Sequence, residues 1–397
     1  MTQGWSPSMG NTDAGGSKPA FELGVAVLNL RGERSTRPYI SIVIPVRNEE
    51  AHLGAVLDDL MSQDYPRGCF EILVVDGQST DRTTEIVDQY ASVAFPPVRL
   101  FTNPGRLSSS GRNVGVRHSK GELVLFVDGH CRLSNRSLLT DSVRIMQETG
   151  AQCLCRPQPL TLPGNTWLQD TVAYARATLI GHGRDSTIYA TGMEGFVNPT
   201  SSGAAYRRSV FERVGLYDEH FDACEDVEFN YRVYRAGIAA YLSPQLTVAY
   251  QPRSSLSGLF EQMLRYGRGR FRLMQKHKEA ASLSQLVPAA FVAGLMLLGA
   301  GSLVSNLGRV SLLVVLLAYA ALLLGFSAAL GVRRGWRSFL VAPSIYMTIH
   351  LGFGVGYWAG AFQAFGEKFR PERVSSRASA APPKGLTEPT RCGKTVL

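Results

Sequence analysis

Zinc-type cysteine spacing is missing from this sequence. Six cysteines, Cys69, Cys131, Cys153, Cys155, Cys224 and Cys392, are scattered through 397 residues, and none forms a C-x-x-C pair. That argues against zinc ribbons and thioredoxin-type redox motifs. The apolar settings of most of these residues predict reduced, structural thiols in a cytosolic domain. The N-terminus has no basic stretch followed by an apolar one, so no secretory leader is expected. Acidic residues are scarce from Arg253 to Lys278, where Glu261 stands alone among Arg265, Arg268, Arg270, Arg272 and Lys276. This local excess contributes to a net charge of +9 and suits either nucleic acid or an anionic membrane surface. Asp, Glu, Lys and Arg are then absent from three apolar runs, 286–304, 310–330 and 339 to about 362. Each is near the ~20 residues that a spanning helix needs. Their proximity turns the basic segment toward lipid and away from nucleic acid.

What is present has a regular order. Residues 1–36 and 366–397 are polar and predict loose tails. The body opens with Ile-Ser-Ile-Val-Ile-Pro, 40–45, a β-branched run closed by proline. Apolar residues at Leu53, Val56, Leu57 and Leu60 follow at helical spacing. Phe70 to Asp76 reads as a strand, Arg82 to Tyr90 as a helix, Val98 to Phe101 as a strand, and Ser109 to Ser119 as a helix. Glu122 to Val127 is a strand without polar alternation, as expected of one buried on both faces. This alternation predicts an α/β fold with a doubly wound sheet, in which ligands sit beyond the carboxyl ends of the strands. Pro45, Asp76 and Asp128 lie at such ends. Residues 151–205 read mainly as loops, and Asp226 to Ala236 as a helix ended by Gly237.

Four segments carry candidate chemistry. A carboxylate at the mouth of a buried strand needs a partner. In Asp128-Gly129-His130 the carboxylate and imidazole are one residue apart and either close a turn or face a divalent ion, Mn²⁺ or Mg²⁺. Asp76-Gly-Gln-Ser-Thr-Asp81 either binds a base or ribose or caps a helix. Glu225-Asp226 either complements a helix dipole or supplies a general base. Gln262-Met-Leu-Arg265-Tyr266 belongs to a basic, aromatic-bearing segment that faces anionic lipid or neutralises a diphosphate.

Together Ser-Ile-Val-Ile-Pro-Val-Arg-Asn-Glu (41–49), Val-Val-Asp-Gly-Gln-Ser-Thr-Asp (74–81), Phe-Val-Asp-Gly-His (126–130) and Glu-Asp-Val-Glu-Phe (225–229) resemble family 2 glycosyltransferases. The likeness is to membrane-anchored bacterial members of the succinoglycan and exopolysaccharide type, over roughly residues 39–365. It implies a GT-A fold in residues 37–252 and an inverting transfer from a nucleotide-sugar donor. Pro45, Val46, Glu49, Asp76, Arg106, Arg112, Asp128, Gln262 and Arg265 would then contact the donor. Asp128 and His130 would hold Mg²⁺ or Mn²⁺ in place of the family's Asp-x-Asp, and Asp226 would be the base. Tyr266 stands where processive synthases carry tryptophan in Gln-x-x-Arg-Trp, and three apolar runs offer little material for a polymer channel. Addition of one sugar to a lipid-linked acceptor is therefore expected. The alternatives are a polyprenyl-phosphate glycosyltransferase and an inactive membrane-surface scaffold.

Residues 253–284 are expected to form a basic interfacial segment and 285–365 about three transmembrane helices. The expected location is the plasma membrane, multi-pass, with membrane lipids as partners. Cations before the first run, and Arg333, Arg334 and Arg337 after the second, place the catalytic domain in the cytoplasm. Gly352, Gly356 and Gly360 have the small-xxx-small spacing that suits packing on another membrane helix. Three full spans, however, would put the basic 368–373 segment on the opposite side.

Overall fold

The computed structural model describes residues 37–93, 95–182, 188–189, 191–280 and 283–368. The polar tails, 1–36 and from 369 on, and Cys392 lie outside these residues. Strands and helices alternate at first: β1 (Ile40–Val46), α1 (Leu53–Met61), β2 (Phe70–Asp76), α2 (Thr83–Val93), β3 (Val98–Thr102), α3 (Ser108–His118), β4 (Leu123–Phe126). Then come β5 (Cys131–Arg132), α4 (Leu138–Thr149), β6 (Cys153–Cys155), α5 (Trp167–Arg176), α6 (Leu179–His182), β7 (Gly195–Val197), β8 (Gly203–Arg207), α7 (Arg208–Val214), α8 (Glu225–Arg235), β9 (Ala240–Leu242) and β10 (Ala249–Tyr250). Four long helices close the body: α9 (Leu256–Lys276), α10 (Leu283–Val304), α11 (Asn306–Arg334) and α12 (Trp336–Lys368).

The main sheet has the order β3-β2-β1-β4-β8-β6-β9-β7. Its first four strands are parallel, and β8 inserts antiparallel between β4 and β6. The uninterrupted apolar runs are accounted for, because every residue of β2 and β4 is buried. On one face Leu53, Leu57, Leu60 and Met146 pack over Ile42, Ile72 and Leu125. On the other, Phe126, Tyr206, Phe211, Tyr217 and Phe229 form an aromatic core, with Tyr217 stacked on Phe229 at 4.3 Å. The β1–β2 register pairs Val46 with Asp76, and the β1–β4 register pairs Val43 with Phe126. The ends of β1, β2 and β4 thus open on one side, as the strand-end reasoning expects. Gly237 ends α8 in the left-handed region, with φ 68°.

Residues 151–205 depart from the loop reading. They hold β6, β7, α6, most of β8, and α5, which is started by a capping box in which Thr166 and Gln169 each satisfy the other's backbone N–H. Short elements separated by glycines gave little periodicity to read. Cys131, Cys153, Cys155 and Cys224 are free and buried, whereas Cys69 is disulfide-bonded.

Among the described residues three helices are long and apolar enough to cross a membrane: 285–304, 306–334 and 336–366. Gly352, Gly356 and Gly360 of α12 do meet a helix, but that helix is α9, whereas Gly354 packs on Pro288 and Val292 of α10. A Cβ at Gly356 would lie 2.1 Å from the Leu264 carbonyl oxygen, and one at Gly267 would lie 2.1 Å from that of Phe353. The small residues let two backbones touch, and for Gly352, Gly356 and Gly360 the partner is not one of the three apolar helices.

Candidate active site

The turn after β2 is locked before any ligand arrives. The Asp76 carboxylate accepts from Ser79 N–H at 3.1 and 3.2 Å and from Ser79 Oγ at 2.5 Å. Gly77 donates to the Val46 carbonyl at 2.8 Å, and a Cβ there would lie 3.1 Å from the Arg106 carbonyl oxygen. Any larger residue would have to push these backbones apart by a few tenths of an ångström, so glycine suits so close an approach. The loop leaving β1 is tied to the same turn: Asn48 N–H donates to Ser79 Oγ and Glu49 N–H to Thr83 Oγ1, each at 2.8 Å. Arg106 Nε donates to the Gln78 side-chain oxygen. Pro45, Val46, Asp76 and Arg106 are therefore brought together. Val46 also reaches the turn after β4, since a Cβ at Gly129 would lie 2.9 Å from Val46 Cγ1.

At that second turn, Arg112 Nη2 donates to Asp128 Oδ1 at 3.0 Å. The Arg112 Nε lies 3.4 Å from Glu225 Oε1, and its guanidinium sits over the rings of Phe126 and Tyr217. One buried arginine on α3 thus joins the end of β4 to the start of α8. Burial alone would raise the Asp128 carboxyl. The Arg112 guanidinium, with His130 and Arg156 nearby, more than offsets this and holds it below the ordinary carboxylate value.

Asp226 behaves in the opposite way. Burial, then the adjacent Glu225 carboxylate, pushes its carboxyl up to about 6, against the pull of Arg112. Its Oδ1 accepts from Val227 N–H at 2.8 Å. A carboxylate that holds its proton near neutrality is suited to general-base work.

His130 Nδ1 lies 2.8 Å from Glu49 Oε1. An ionised carboxylate only accepts, so the pairing places the proton on Nδ1. Nε2 is then an acceptor, and it is buried with no partner among the described residues. A carboxylate behind one ring nitrogen and a free lone pair on the other is the arrangement of a metal-binding imidazole. Among the described residues no cluster of three or more His, Cys, Asp or Glu side chains forms a metal site. The protein side therefore offers two ligands, Asp128 and His130 Nε2, and the fit requires oxygens from the ligand itself.

Gln262 and Arg265 part company. Gln262 is buried and lies 3.5 Å from Tyr250 Oη, 3.3 Å from Tyr266 Oη and 3.5 Å from Arg176 Nη1. Tyr250 in turn meets the His130 ring edge-on at 4.6 Å, so Gln262 belongs to the site. Arg265 instead donates to the Asp222 carbonyl at 2.7 Å. Other cations of α9 follow it. Arg268 and Arg272 pair with the Asp222 carboxylate at 3.6 and 3.2 Å, and Lys276 bridges Asp218 and Glu228 at 2.6 and 2.9 Å. These charges brace the loop before Asp226, a use that an interfacial helix facing lipid does not lead one to expect.

Sequence reasoning missed Arg156, Arg176, Tyr250 and the Arg112 partnership of Glu225. Arg156 follows β6 and is buried beside Asp128, with Nε and Nη1 unpartnered among the described residues. The strand-end logic that found Asp128, applied to Cys153–Cys155, points to Arg156. No sequence signal marks Arg176.

With this geometry in hand, comparisons identify the chain. The family model described as Glycosyl transferase family 2 matches residues 41–215. The succinoglycan biosynthesis protein ExoA of Rhizobium meliloti (strain 1021) is 30% identical over 80% of this chain and 93% of its own length. A dolichyl N-acetyl-alpha-D-glucosaminyl phosphate diacetamido-dideoxy-glucuronosyltransferase of Methanococcus voltae is 25% identical over 60% of this chain and 74% of its own length. Among solved structures, the mannosyltransferase PcManGT of Pyrobaculum calidifontis, in complex with GDP-Man and Mn²⁺, superposes with a TM-score of 0.55 at 20% identity, covering 82% of this chain and 88% of that one. The mixed sheet is thus that of a GT-A fold, and the chain belongs to glycosyl transferase family 2.

Proposed function

We infer that this glycosyltransferase is membrane-bound and inverting, and that it moves one sugar from a nucleotide-sugar donor to a lipid-linked saccharide acceptor. The observation that carries the reading is Asp226, with its carboxyl raised to about 6 and its neighbour Glu225 joined through Arg112 to the Asp128 turn. The interlocked β1 and β2 turns, with Pro45, Val46, Asp76 and Arg106, suit the nucleoside. The Asp128 turn suits the diphosphate. Asp226 takes the proton of the acceptor hydroxyl as its oxygen attacks the anomeric carbon. The sugar–phosphate bond breaks on the opposite face, and the nucleoside diphosphate leaves with both bonding electrons, which gives inversion. A divalent ion, Mg²⁺ or Mn²⁺, held by Asp128 and His130, would supply positive charge to that leaving group. Arg112 keeps Asp128 ionised and limits the rise of Asp226. The likeness to ExoA supports exopolysaccharide or cell-envelope glycan as the product class. The apolar helices, with cations flanking the first two, support a plasma-membrane location with the catalytic domain cytoplasmic.

The test is release of nucleoside diphosphate by the purified protein in nanodiscs. It is supplied with a panel of nucleotide sugars, membrane lipid extract and Mg²⁺ or Mn²⁺, with Asp226→Asn alongside. Metal-dependent release from one donor, lost in the variant, is expected. Release that survives Asp226→Asn would favour a polyprenyl-phosphate acceptor, because a phosphate needs no deprotonation. No release from any donor, beside an active control enzyme, would favour a scaffold.

A further inference from the structure

We propose that α12 does not cross the bilayer. It lies along the membrane surface on the catalytic side, with one apolar stripe set into the boundary between headgroups and acyl chains. The proposal rests on the membrane-bound reading above and deepens it. It leaves two spans, α10 and α11.

Elements of the catalytic half cover α12 along its length. Over its first half lie α5 and α6. Thr171 Oγ1 meets Ser338 Oγ at 3.1 Å, Thr178 Oγ1 donates to Tyr346 Oη at 3.3 Å, and His350 Nε2 pairs with the Ile180 carbonyl at 2.8 Å. Over its second half lies α9. A Cβ at Gly352 would meet Phe260 and Met263, one at Gly356 would meet Leu264, and one at Gly360 would meet Arg268 and Phe271. Tyr357 Oη reaches Met274 Sδ at 3.1 Å, and Arg272 Nη2 lies 3.5 Å from Gln363 Oε1. Residue numbers rise together in both helices, so they run parallel and side by side. From Gly352 to Gln363 the contacts extend over about 17 Å, more than half the thickness of a hydrocarbon core.

A helix shadowed in this way cannot cross alone. It would draw α9 into hydrocarbon with Arg265, Arg268, Arg272 and Lys276, which are paired with Asp218, Asp222 and Glu228 of the catalytic domain. It would draw in α5 with Arg176 as well. Intramembrane charge of that kind is strongly disfavoured.

The surface of α12 agrees. Leu340, Met347, Val355, Phe362 and Phe365 are exposed, and at roughly 100° per residue they fall within one stripe. Ala342, Ile345, Tyr346 and Ile349, which are buried, lie on the other side. In α11, by contrast, Leu313, Val314, Leu316 and Leu317 are exposed over an arc of about 160°, roughly twice the width of the α12 stripe, as a helix bathed in lipid over most of its circumference requires. The 29 residues of α11 span about 43 Å, more than the core needs. Its final turns pack Leu323 and Leu330 beside Ile345 and Tyr346, and Arg334 stacks on the Tyr174 ring of α5. The Arg333–Arg337 corner is therefore at the catalytic face. With two spans, that corner, the α9 cations and Lys368 all share one side, which removes the charge conflict of a three-span chain.

Single cysteines test the assignment. They are placed at Ser254, Leu307 and Gly366 in a chain carrying Cys69→Ser and Cys392→Ser, the free cysteines of the described residues being buried. A Cβ at Gly366 meets nothing within 4 Å. A membrane-impermeant maleimide is applied to spheroplasts and to inverted vesicles. Ser254→Cys and Gly366→Cys are expected to react only in inverted vesicles, and Leu307→Cys only in spheroplasts. Gly366→Cys reacting with Leu307→Cys would overturn the proposal while leaving the membrane-bound reading intact. Leu307→Cys reacting with Ser254→Cys would remove the spans themselves, and both readings with them. Nitroxides at 340, 347, 355 and 362 give an independent measure. Near-equal oxygen accessibility is expected, and a maximum at 347–355 with a fall at both ends would mean a crossing helix.

Discussion

Asparagine at position 226 is expected to yield a protein that transfers no sugar and yet, at neutral pH, is harder to unfold than the parent. The Asp226 carboxyl rises from 3.8 to about 6, with burial the first cause and the Glu225 charge the second. Each unit corresponds to about 1.4 kcal/mol, so keeping this group ionised costs the folded state at most about 3 kcal/mol. Because the folded pKa is the higher one, the folded protein holds the proton more tightly than the unfolded chain. The favourable contribution is complete below about 3.8 and is lost as pH rises through about 6. Asparagine cannot ionise and escapes that loss. Its advantage should be full at pH 7.5, shrink as pH falls through 6, and vanish near pH 4. Thermal melts in nanodiscs at these three values read the stability, and nucleoside diphosphate release reads the activity. An Asp226→Asn protein that melts below the parent at pH 7.5, or that still transfers sugar, would refute the reasoning.

Neighbouring groups give further expectations. Glu225→Gln removes a like charge beside Asp226, so the acid limb of kcat/KM should move below 6 but stay above the ordinary carboxylate value, since burial remains; a limb that stays or rises contradicts this. Arg112→Met leaves the Asp128 and Glu225 carboxylates without their cation in a buried setting, at a cost of about 3–5 kcal/mol measurable by melting. Glu49→Ala frees His130 to rotate and to change tautomer. Mn²⁺ binding, followed by the electron paramagnetic resonance of the free ion, should weaken about 10–100-fold, and unchanged binding would mean that Nε2 is no ligand.

The convergence of Pro45, Asp76 and Asp128 was legible because strand ends announce themselves. Pro45, Asp76 and Asp128 each close an apolar run, and a parallel sheet brings such ends together whatever their separation in sequence. The partnerships were not legible. Nothing in local spacing says that Glu49 will face His130, 81 residues away, or that Arg112 will reach Glu225. Arg156 was hidden by the shortness of β6, whose three residues carry too little periodicity to mark a strand end. The basic character of α9 was plain, but composition cannot tell a cation in lipid headgroups from one spent on Asp222. For α12, the spacing of Gly352, Gly356 and Gly360 announced close packing but pointed to another membrane helix, where the structure has the basic helix α9.

The pairing of α9 with α12 also bears on how the protein can be prepared. A chain cut before the first apolar run, after Lys276, would bare Met263, Leu264, Gly267 and Phe271, the strip that α12 covers. One cut after Tyr250 would in addition leave Gln262 missing from the Tyr250–Arg176 cluster and strip Asp222 of its counter-ions. Trimming at the hydropathy boundary therefore produces a sticky fragment with a loosened loop before Asp226. The better route to a water-soluble enzyme removes α10 together with the outer part of α11, rejoins the chain across the gap, and replaces the exposed stripe of α12 with polar residues, so that the helix that steadies the catalytic loop keeps its seat.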